Sequence, residues 1–336
     1  MIKFTTGYCY DDVLLVPKHS SIKSRDDVDL SVQLPKDIKL KIPLLSSNMK
    51  SLTDVDMAVA ISNLGGLPIL HRFDSHKDIV SKFEKVIRNI NGFVGCSVGI
   101  KDEDKSLISY LYSSGCKIIC VDVAHGDHER VCEFVSYLKM WRSDILIIAG
   151  NVVTPTGACN LWKSGADIIK LGIGNGSICS TRIETGNGYP QLSVLDNVCN
   201  HYYEEHDGYG PIFIADGSVK SAGDCVKALS IADLVMIGNL FAGTDEAPGE
   251  VVTLDGKRYK RYDGSSTHKS NYIEGVKGLV PYKGKVSDIV KKITEGIRSG
   301  CSYQGANNLK ELKLNPEFVV ISNAGLKESH PHSVVI

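Results

Sequence analysis

No stretch of about 18 consecutive apolar residues occurs in this sequence of 336 residues, so no segment is predicted to cross a membrane. The start of the chain shows no apolar signal segment, and we expect a cytoplasmic protein without a membrane partner. The formal net charge of −1 gives no global reason to expect a nucleic-acid partner. A GxGxxG fingerprint after an early strand is also missing, so a dinucleotide would not be bound in the Rossmann manner.

Paired cysteine motifs are absent too. The ten cysteines are scattered, with no CxxC pair and no metal-ligand spacing. Most are expected to be small buried hydrophobic residues, and disulfides are not expected. No internal repeat, low-complexity tract or linker divides the chain, so we predict a single domain over residues 1–336.

What the chain does contain is a regular alternation of short apolar runs with longer amphipathic stretches. Eight strands, each followed by a helix or by a loop leading to one, predict an α/β fold of the (β/α)8 TIM-barrel class, with a doubly wound sheet as the alternative. The predicted strands are 42–46, 67–70, 93–98, 117–121, 145–149, 167–171, 211–215 and 233–237. The predicted helices include 76–87, 103–113, 128–141 and 155–164.

Two segments fall outside this alternation. Residues 172–191 form a glycine-rich loop after the sixth predicted strand. Residues 253–285 are rich in Gly, Lys and Tyr and too polar for a core, so they predict a mobile flap. Active-site groups of a TIM barrel gather at the carboxyl ends of its strands, and polar residues or glycines follow nearly every predicted strand here.

The loop at 172–191 has five glycines in twenty residues, which is costly to order and therefore needs a reason. Glycines before Ser177 let backbone N–H groups approach an anion, and Cys179 lies just beyond that cradle. A phosphate holder beside a thiol suggests covalent chemistry on a nucleotide-like substrate. A packed loop thiol is the alternative.

The other candidates each have a structural alternative. Asp216 is placed to grip a ribose diol or to cap a helix, and Gly238 with Asn239 to donate to a phosphate or to form a tight turn. Asp122 is a candidate for a second ribose, and His125 is either a base or a hydrogen-bonded structural residue. The basic run at 257–262 is more typical of a solvated face or a phosphate contact than of a nucleic-acid patch.

Several motifs together resemble the IMP dehydrogenase and GMP reductase family. They are GIGNGSICSTR at 172–182, DDVLLVP at 11–17, VDVAHG at 121–126, AGNV at 149–152, IADG at 214–217, MIG at 236–238, PGE at 248–250 and YKG at 282–284. They follow the family's order through almost the whole chain. The resemblance implies a TIM barrel, a homotetramer, a nicotinamide cofactor and a purine nucleotide substrate, GMP or IMP. It also implies K⁺ at the backbone of Gly174, Gly176 and Cys179.

The resemblance further implies a thioimidate between the Cys179 sulfur and purine C2. The dehydrogenase oxidises IMP with NAD and hydrolyses the intermediate to XMP, whereas the reductase expels ammonia from GMP and delivers hydride from NADPH, giving IMP. Residue by residue, the resemblance makes Cys179 the nucleophile and makes Thr181 and Glu274 the pair that handles the proton of the leaving amine. The implied substrate-binding residues are Ser46, Asn48, Met49, Ser177, Asp216, Gly217, Gly238, Asn239, Tyr262 and Gly264. The implied cofactor-binding residues are Asp122, Ala124, His125, Gly126 and Asn151.

Three features favour the reductase with NADPH. Residues 76–92 leave no room for the regulatory domain that the dehydrogenase usually inserts before the third strand. Residues 265–273 contain no adjacent Arg-Tyr pair of the kind that activates water in the dehydrogenase flap. The stretches 185–193 and 71–73 are similar to those of short reductases. A dehydrogenase without the regulatory domain and a nucleotide-binding relative with altered catalysis are the alternatives.

The chain also departs from the family's pattern. Asn175 stands where Pro is usual, and Ser218 replaces the second Gly of Asp-Gly-Gly. Asn239 replaces a Ser or Gly, and Lys50 follows Met49 where Asp or Gln is common. These changes predict an unusual phosphate pocket and leave a deoxy or modified GMP as a conceivable substrate. The tail at 323–330 is more similar to the dehydrogenase.

Overall fold

The computed structural model describes residues 2, 4–205, 210–264 and 276–331. Its strands are β1 (Val13–Leu15), β2 (Val32–Gln33), β3 (Lys39–Leu40), β4 (Leu44–Ser46), β5 (Leu67–Leu70), β6 (Gly95–Val98), β7 (Ile118–Asp122), β8 (Leu146–Val152), β9 (Ile168–Leu171), β10 (Ile212–Asp216), β11 (Leu234–Ile237), β12 (Val251–Leu254), β13 (Lys257–Asp263), β14 (Lys277–Pro281) and β15 (Phe318–Val320). Its helices are α1 (Val55–Asn63), α2 (His76–Ile87), α3 (Asp102–Ser113), α4 (Glu129–Trp141), α5 (Pro155–Lys163), α6 (Thr181–Thr185), α7 (Gln191–Glu205), α8 (Ala222–Leu229), α9 (Val286–Tyr303), α10 (Leu309–Leu312) and α11 (Asn323–Glu328).

Strands β4 to β11 close into a parallel barrel in the order β10-β11-β4-β5-β6-β7-β8-β9. Each of the eight predicted strands overlaps one of them, so the TIM-barrel prediction is confirmed and the doubly wound alternative is wrong. The largest difference is at β8, which continues past the predicted end at residue 149 and carries Asn151 where its pairing with β9 shifts register.

Alternate residues of each strand point to two different cores. In β7, Ile118 and Cys120 belong to the cluster inside the barrel, whereas Ile119 and Val121 pack beneath the helices. This two-sided burial explains why the strands are near-continuous apolar runs. In β9 the same alternation directs Lys170 inward, toward the end of the barrel where the strands finish.

The helices cover the barrel through their apolar faces. In α2, Ile79, Phe83 and Val86 recur at helical spacing and are buried against the strands. The helix begins at Ser75, whose side chain accepts a hydrogen bond from the Asp78 N–H. No helix in the described part of the chain has the length and apolar character that crossing a membrane would require.

A small antiparallel sheet, β12-β13-β14, follows the last barrel strand and includes parts of both ends of the segment predicted as a flap. No strand was predicted in this segment. Lys260 explains how such a polar segment packs, because its buried ammonium donates to the carbonyls of Thr244 at 2.9 Å and Ala247 at 2.6 Å. Residues 265–275, which hold the rest of the predicted flap, lie outside the described residues.

Candidate active site

A cavity of about 650 Å³ opens at the carboxyl ends of the barrel strands. Its wall is built from the loops that follow β4, β7, β9, β10 and β11, and from the end of β13. The volume falls in the usual range for a small-molecule site. The position agrees with the polar residues and glycines that follow the predicted strands.

Cys179 and Thr181 lie side by side in this cavity. The Cys179 Sγ is 3.2 Å from the Thr181 Oγ1, and Thr181 is the first residue of α6. All ten cysteines are described, and Cys179 is the exposed one among them. Burial raises the pKa of Cys120 to about 12 and that of Cys301 to about 11, so those thiols stay protonated. Cys179 is therefore the thiol available for reaction.

The loop at 172–191 is folded back on itself by Arg182, whose Nη2 donates to the Tyr189 carbonyl at 2.6 Å. This fold brings the Arg182 side chain so close to Gly174 that a Cβ there would lie 2.6 Å from Arg182 Cγ. Gly174 also has a φ of +76°. Glycine is thus required at 174 both by the backbone conformation and by the close approach.

The floor of the cavity carries an ion network centred on Lys170. Its buried Nζ lies 2.7 Å from the Asp122 Oδ1 and 3.2 Å from the Asp216 Oδ2. Asn151 Nδ2 donates to the same Asp216 oxygen at 2.8 Å and to the Gly172 carbonyl at 2.8 Å. The network leaves the second carboxylate oxygen of Asp216 for a ligand.

Charge decides the protonation of this network. Burial alone would raise the pKa of Asp122, but the nearby Lys170 ammonium outweighs burial and holds that pKa below its ordinary value. Burial likewise opposes the charge on Lys170, yet Asp122 and Asp216 raise the Lys170 pKa. Asp122 and Lys170 are therefore both ionised at neutral pH.

Sequence reasoning missed Lys170. The signal was present, because a lysine within the apolar run 168–171 must either leave the strand's buried face or find buried partners. Its partners are the last residues of two other strands, β7 and β10, and they are distant in sequence.

A third group of residues lies where β11 ends and β13 crosses. A Cβ on Gly238 would lie 2.9 Å from the Tyr262 hydroxyl, which itself is 3.4 Å from the Met49 Sδ. Burial raises the pKa of Tyr262 to about 12, with a hydrogen bond to Ser177 opposing it, so the hydroxyl remains a donor at neutral pH. Lys283 Nζ donates to the Asn239 carbonyl at 2.6 Å and fixes this loop.

The base of the flap is joined to the Cys179 loop through the backbone. Gly264 N–H donates to the Val276 carbonyl at 3.0 Å, and Val276 N–H donates to the Ile178 carbonyl at 2.9 Å. Ile178 precedes the candidate nucleophile. The two residues that flank 265–275 are thus held together, directly beside Cys179.

The structure brings most of the predicted site residues to one cavity. Those that line it are Asn48, Met49, Asp122, Ala124, Asn151, Gly174, Gly176, Ser177, Cys179, Thr181, Asp216, Gly217, Gly238, Asn239, Tyr262 and Gly264. Unpredicted neighbours in the wall include Ser47, Arg72 and Lys170.

Three predicted residues are placed differently, and the position of a fourth is not described. Ser46 is fully buried, and the adjacent Ser47 takes its place in the wall. His125 is exposed outside the wall, and Gly126 is buried with its N–H donating to the Asn151 carbonyl at 2.7 Å. Glu274 lies outside the described residues.

Known proteins are similar to this chain in both sequence and fold. A family model described as "IMP dehydrogenase / GMP reductase domain" matches residues 7–332. The inosine-5'-monophosphate dehydrogenase of Borreliella burgdorferi is 36% identical over 395 aligned residues, covering 97% of this chain and 96% of that protein. The GMP reductase of Lactobacillus gasseri is also 36% identical, over 327 residues that cover 95% of this chain and 96% of that protein.

A solved structure extends the comparison to three dimensions. A variant of the GMP reductase from Trypanosoma brucei, in complex with guanosine 5'-monophosphate, is similar with a TM-score of 0.92 and 27% identity over 99% of both chains. The motifs, the barrel and the cavity agree with these matches. The chain belongs to the IMP dehydrogenase and GMP reductase family.

Proposed function

We propose that this member of an oxidoreductase family is a GMP reductase, which converts GMP and NADPH into IMP, ammonia and NADP⁺. The single observation that carries the proposal is the exposed Cys179 with Thr181 beside it, in a cavity whose flap sequence lacks a water-activating Arg-Tyr pair. The solved GMP reductase of Trypanosoma brucei, bound to GMP, supports the choice of substrate.

Cys179 attacks C2 of the guanine ring, and the amine at C2 then leaves as ammonia. Expelling an amine needs a proton, because the amide ion is a very poor leaving group. The Thr181 Oγ1 is 3.2 Å from the Cys179 Sγ, so this hydroxyl is placed to pass the proton to the amine nitrogen that leaves C2. We assign the donor to Glu274, which the resemblance pairs with Thr181.

The residues around the cavity hold the nucleotide in three parts. Asp216, fixed by Lys170 and Asn151, offers its second oxygen to the ribose diol. Ser177, Gly217, Gly238, Asn239 and Tyr262 surround the phosphate, and Asn48 and Met49 face the base.

The residues present also fit a nicotinamide cofactor. The cavity continues from the Cys179 loop to Asp122, Ala124 and Asn151, which leaves a wall for a second ring beside the purine. The reduced nicotinamide supplies the hydride that C2 accepts when the cysteine sulfur departs. The backbone of Gly174, Gly176 and Cys179 is our proposed K⁺ site, although the Gly176 carbonyl also accepts a hydrogen bond from the Cys179 N–H at 3.1 Å.

The flap argues against hydrolysis of the Cys179 intermediate. The adjacent Arg261 and Tyr262 do not replace the missing pair, because they lie in β13 on opposite faces, with Arg261 exposed and Tyr262 buried. Water in the cavity therefore has no paired base from this part of the chain. Reduction is left as the route that releases the cysteine.

A second candidate is an IMP dehydrogenase without the regulatory domain. The relative from Borreliella burgdorferi is as similar as the reductase from Lactobacillus gasseri. That alignment spans 395 positions against the 336 residues here, so the relative carries segments that this chain lacks.

The test is to incubate the protein with GMP and each reduced cofactor and to separate the products. We expect GMP-dependent oxidation of NADPH with release of ammonia and IMP. Cys179→Ala should abolish turnover and keep nucleotide binding, while Cys159→Ala, on α5 outside the cavity wall, should leave turnover intact. XMP formed from IMP and NAD, without NADPH oxidation by GMP, would establish the dehydrogenase instead.

A loss of catalysis is the third possibility, and the unusual residues of the phosphate pocket motivate it. Nucleotide binding without turnover in any direction would support it. Guanine deoxynucleotides run alongside GMP test the choice of sugar. Sedimentation and K⁺ titration test the proposed homotetramer and cation.

A further inference from the structure

Ser218 holds a backbone conformation that serine rarely adopts. Its φ is +63°, in the left-handed region, where the Cβ of an L residue crowds the following carbonyl oxygen. Glycine adopts this conformation without that cost. A residue other than glycine persists in such a conformation only where the surrounding contacts fix it.

The contact that fixes Ser218 is made with Asn175. The Ser218 Oγ donates to the Asn175 carbonyl at 2.9 Å. In return, Asn175 Nδ2 donates to the Asp216 carbonyl at 2.8 Å and to the Gln191 Oε1 at 2.6 Å. Asn175 and Ser218 are two of the positions at which this chain departs from the family's pattern. Their hydrogen bonds join the loop after β9 to the loop after β10.

These hydrogen bonds join the two loops that must cooperate in the reaction. Asn175 lies four residues before Cys179, and Ser218 lies two residues after Asp216. Proline at 175 would stiffen the Cys179 loop by fixing its own φ. Asparagine cannot do so, and here side-chain hydrogen bonds tie the loop to its neighbour instead.

We propose that Asn175 and Ser218 form a latch that positions the Cys179 loop against the loop that holds the nucleotide. The Ser218 hydroxyl already donates its proton to Asn175, so it does not donate to the nucleotide. We therefore expect the latch to act on the chemical step more than on binding. Both are positioning residues. The inference rests on the proposed function, in that Cys179 is the nucleophile whose placement the latch controls.

Ser218→Gly and Ser218→Ala test the latch together. Both remove the hydroxyl, so kcat should fall about fivefold to tenfold in each, with the dissociation constant for IMP within about twofold of wild type. Their stabilities should differ, because glycine relieves the left-handed conformation and alanine does not. We expect the Tm of Ser218→Gly to equal or exceed that of the wild type and the Tm of Ser218→Ala to be lower.

A matched control is Asp255→Gly. Asp255 has a φ of +48° and is exposed in the turn between β12 and β13, away from the latch. This variant should gain stability in the same way and keep its kcat.

Hydrogen exchange supplies a readout that does not depend on the reaction. Amides of residues 173–179 should exchange faster in both Ser218 variants than in the wild type, with barrel strands unchanged. If the wild type proves to oxidise IMP, the same kcat comparison is made in that direction, so the proposed function can fail while the latch stands. The latch is refuted if loop exchange and kcat match the wild type, or if kcat falls only in Ser218→Ala, in step with its Tm.

Discussion

Lys170 and Asp122 form an ion pair with 2.7 Å between Nζ and Oδ1 at the closed end of the cavity. The lysine side chain is only 2% exposed, and it contacts Asp216 as well. One buried cation thus holds two carboxylates that would otherwise repel each other. The orientation of the candidate ribose ligand depends on this lysine.

Lys170→Met should therefore destabilise the fold strongly. Removing the buried cation leaves two partly buried carboxylates without their common partner, and we expect a loss of about 3 kcal/mol in the free energy of unfolding at pH 7. Urea denaturation measures it. Lys139→Met is the control, because the Lys139–Asp167 pair at 2.9 Å is 33% exposed on the lysine side. That variant should lose at most about 1 kcal/mol. Equal losses in the two variants would contradict the assignment.

Tyr262→Phe should weaken nucleotide binding without slowing the chemical step. The pKa of Tyr262 is raised to about 12, so the wild-type hydroxyl is protonated at neutral pH and is available to donate to the phosphate of the proposed substrate. We expect the KM for GMP to rise about fivefold to tenfold with kcat little changed. Steady-state kinetics at pH 7 measures this.

The control for Tyr262 is Tyr259→Phe. Tyr259 lies three positions earlier in β13, so its side chain points to the opposite face of the sheet. This variant should keep the wild-type KM. A fall in kcat at constant KM in Tyr262→Phe would show that the hydroxyl acts on the chemical step instead.

Lys283→Met tests the loop that carries Asn239. The ammonium donates to the carbonyls of Asn239 at 2.6 Å and Leu240 at 3.3 Å, and these bonds hold the loop against the phosphate side of the cavity. The dissociation constant for IMP should rise about tenfold in the variant, whereas that for inosine, which has no phosphate, should not change. Calorimetric titration distinguishes the two ligands.

The control for Lys283 is Lys285→Met, two residues along and exposed, which should bind both ligands as the wild type does. Equal weakening for inosine would indicate a general distortion of the cavity.

Acid should remove a defined part of the stability through Asp74. Burial would raise its pKa, but hydrogen bonds from Lys50 at 2.8 Å and Lys82 at 2.6 Å lower the pKa to about 2. The folded pKa is below the unfolded value of about 3.9, so the contribution is complete above about pH 5 and is lost as the pH falls through 2. It amounts to about 2 kcal/mol at neutral pH.

Asp74→Asn isolates this contribution. The variant should be less stable than the wild type at pH 5. The difference should be small at pH 2, where about half of the wild-type carboxyl is protonated, and should vanish below it. Urea midpoints at pH 5, 4, 3 and 2 provide the comparison. Asp102→Asn removes an exposed partner of Lys105 and should give a smaller difference across the same range. A constant gap between wild type and Asp74→Asn at every pH would refute the expectation.

The barrel could be predicted because each strand reads as a short β-branched run buried on both sides. The role of Lys170 could not be predicted in this way, because the carboxylates that stabilise it come from strands 46 and 48 residues away. The β12-β13-β14 sheet was hidden for a related reason. Buried Lys260 and Tyr262 flank the exposed Arg261, and only the carbonyls of residues 244–247 make a buried lysine acceptable.

The candidate site was predicted to the extent that it follows the strand ends. Cys179, Asp216 and Gly238 are placed by the barrel itself, so their order in the sequence indicates where they meet. The predictions of Ser46 and His125 were each one residue away from a neighbour that lines the wall, Ser47 or Ala124. Adjacent residues of a strand or turn face opposite ways, which explains the error. The contact between Asn175 and Ser218 joins loops 43 residues apart and has no local signal.

The hydrogen bond between Gly264 and Val276 joins the two residues that flank 265–275. The register of β13 against β14, and the bond from Val276 to Ile178, are fixed without any of the eleven residues between them. The length and sequence of that segment can therefore differ among relatives while the barrel and its cysteine stay in place.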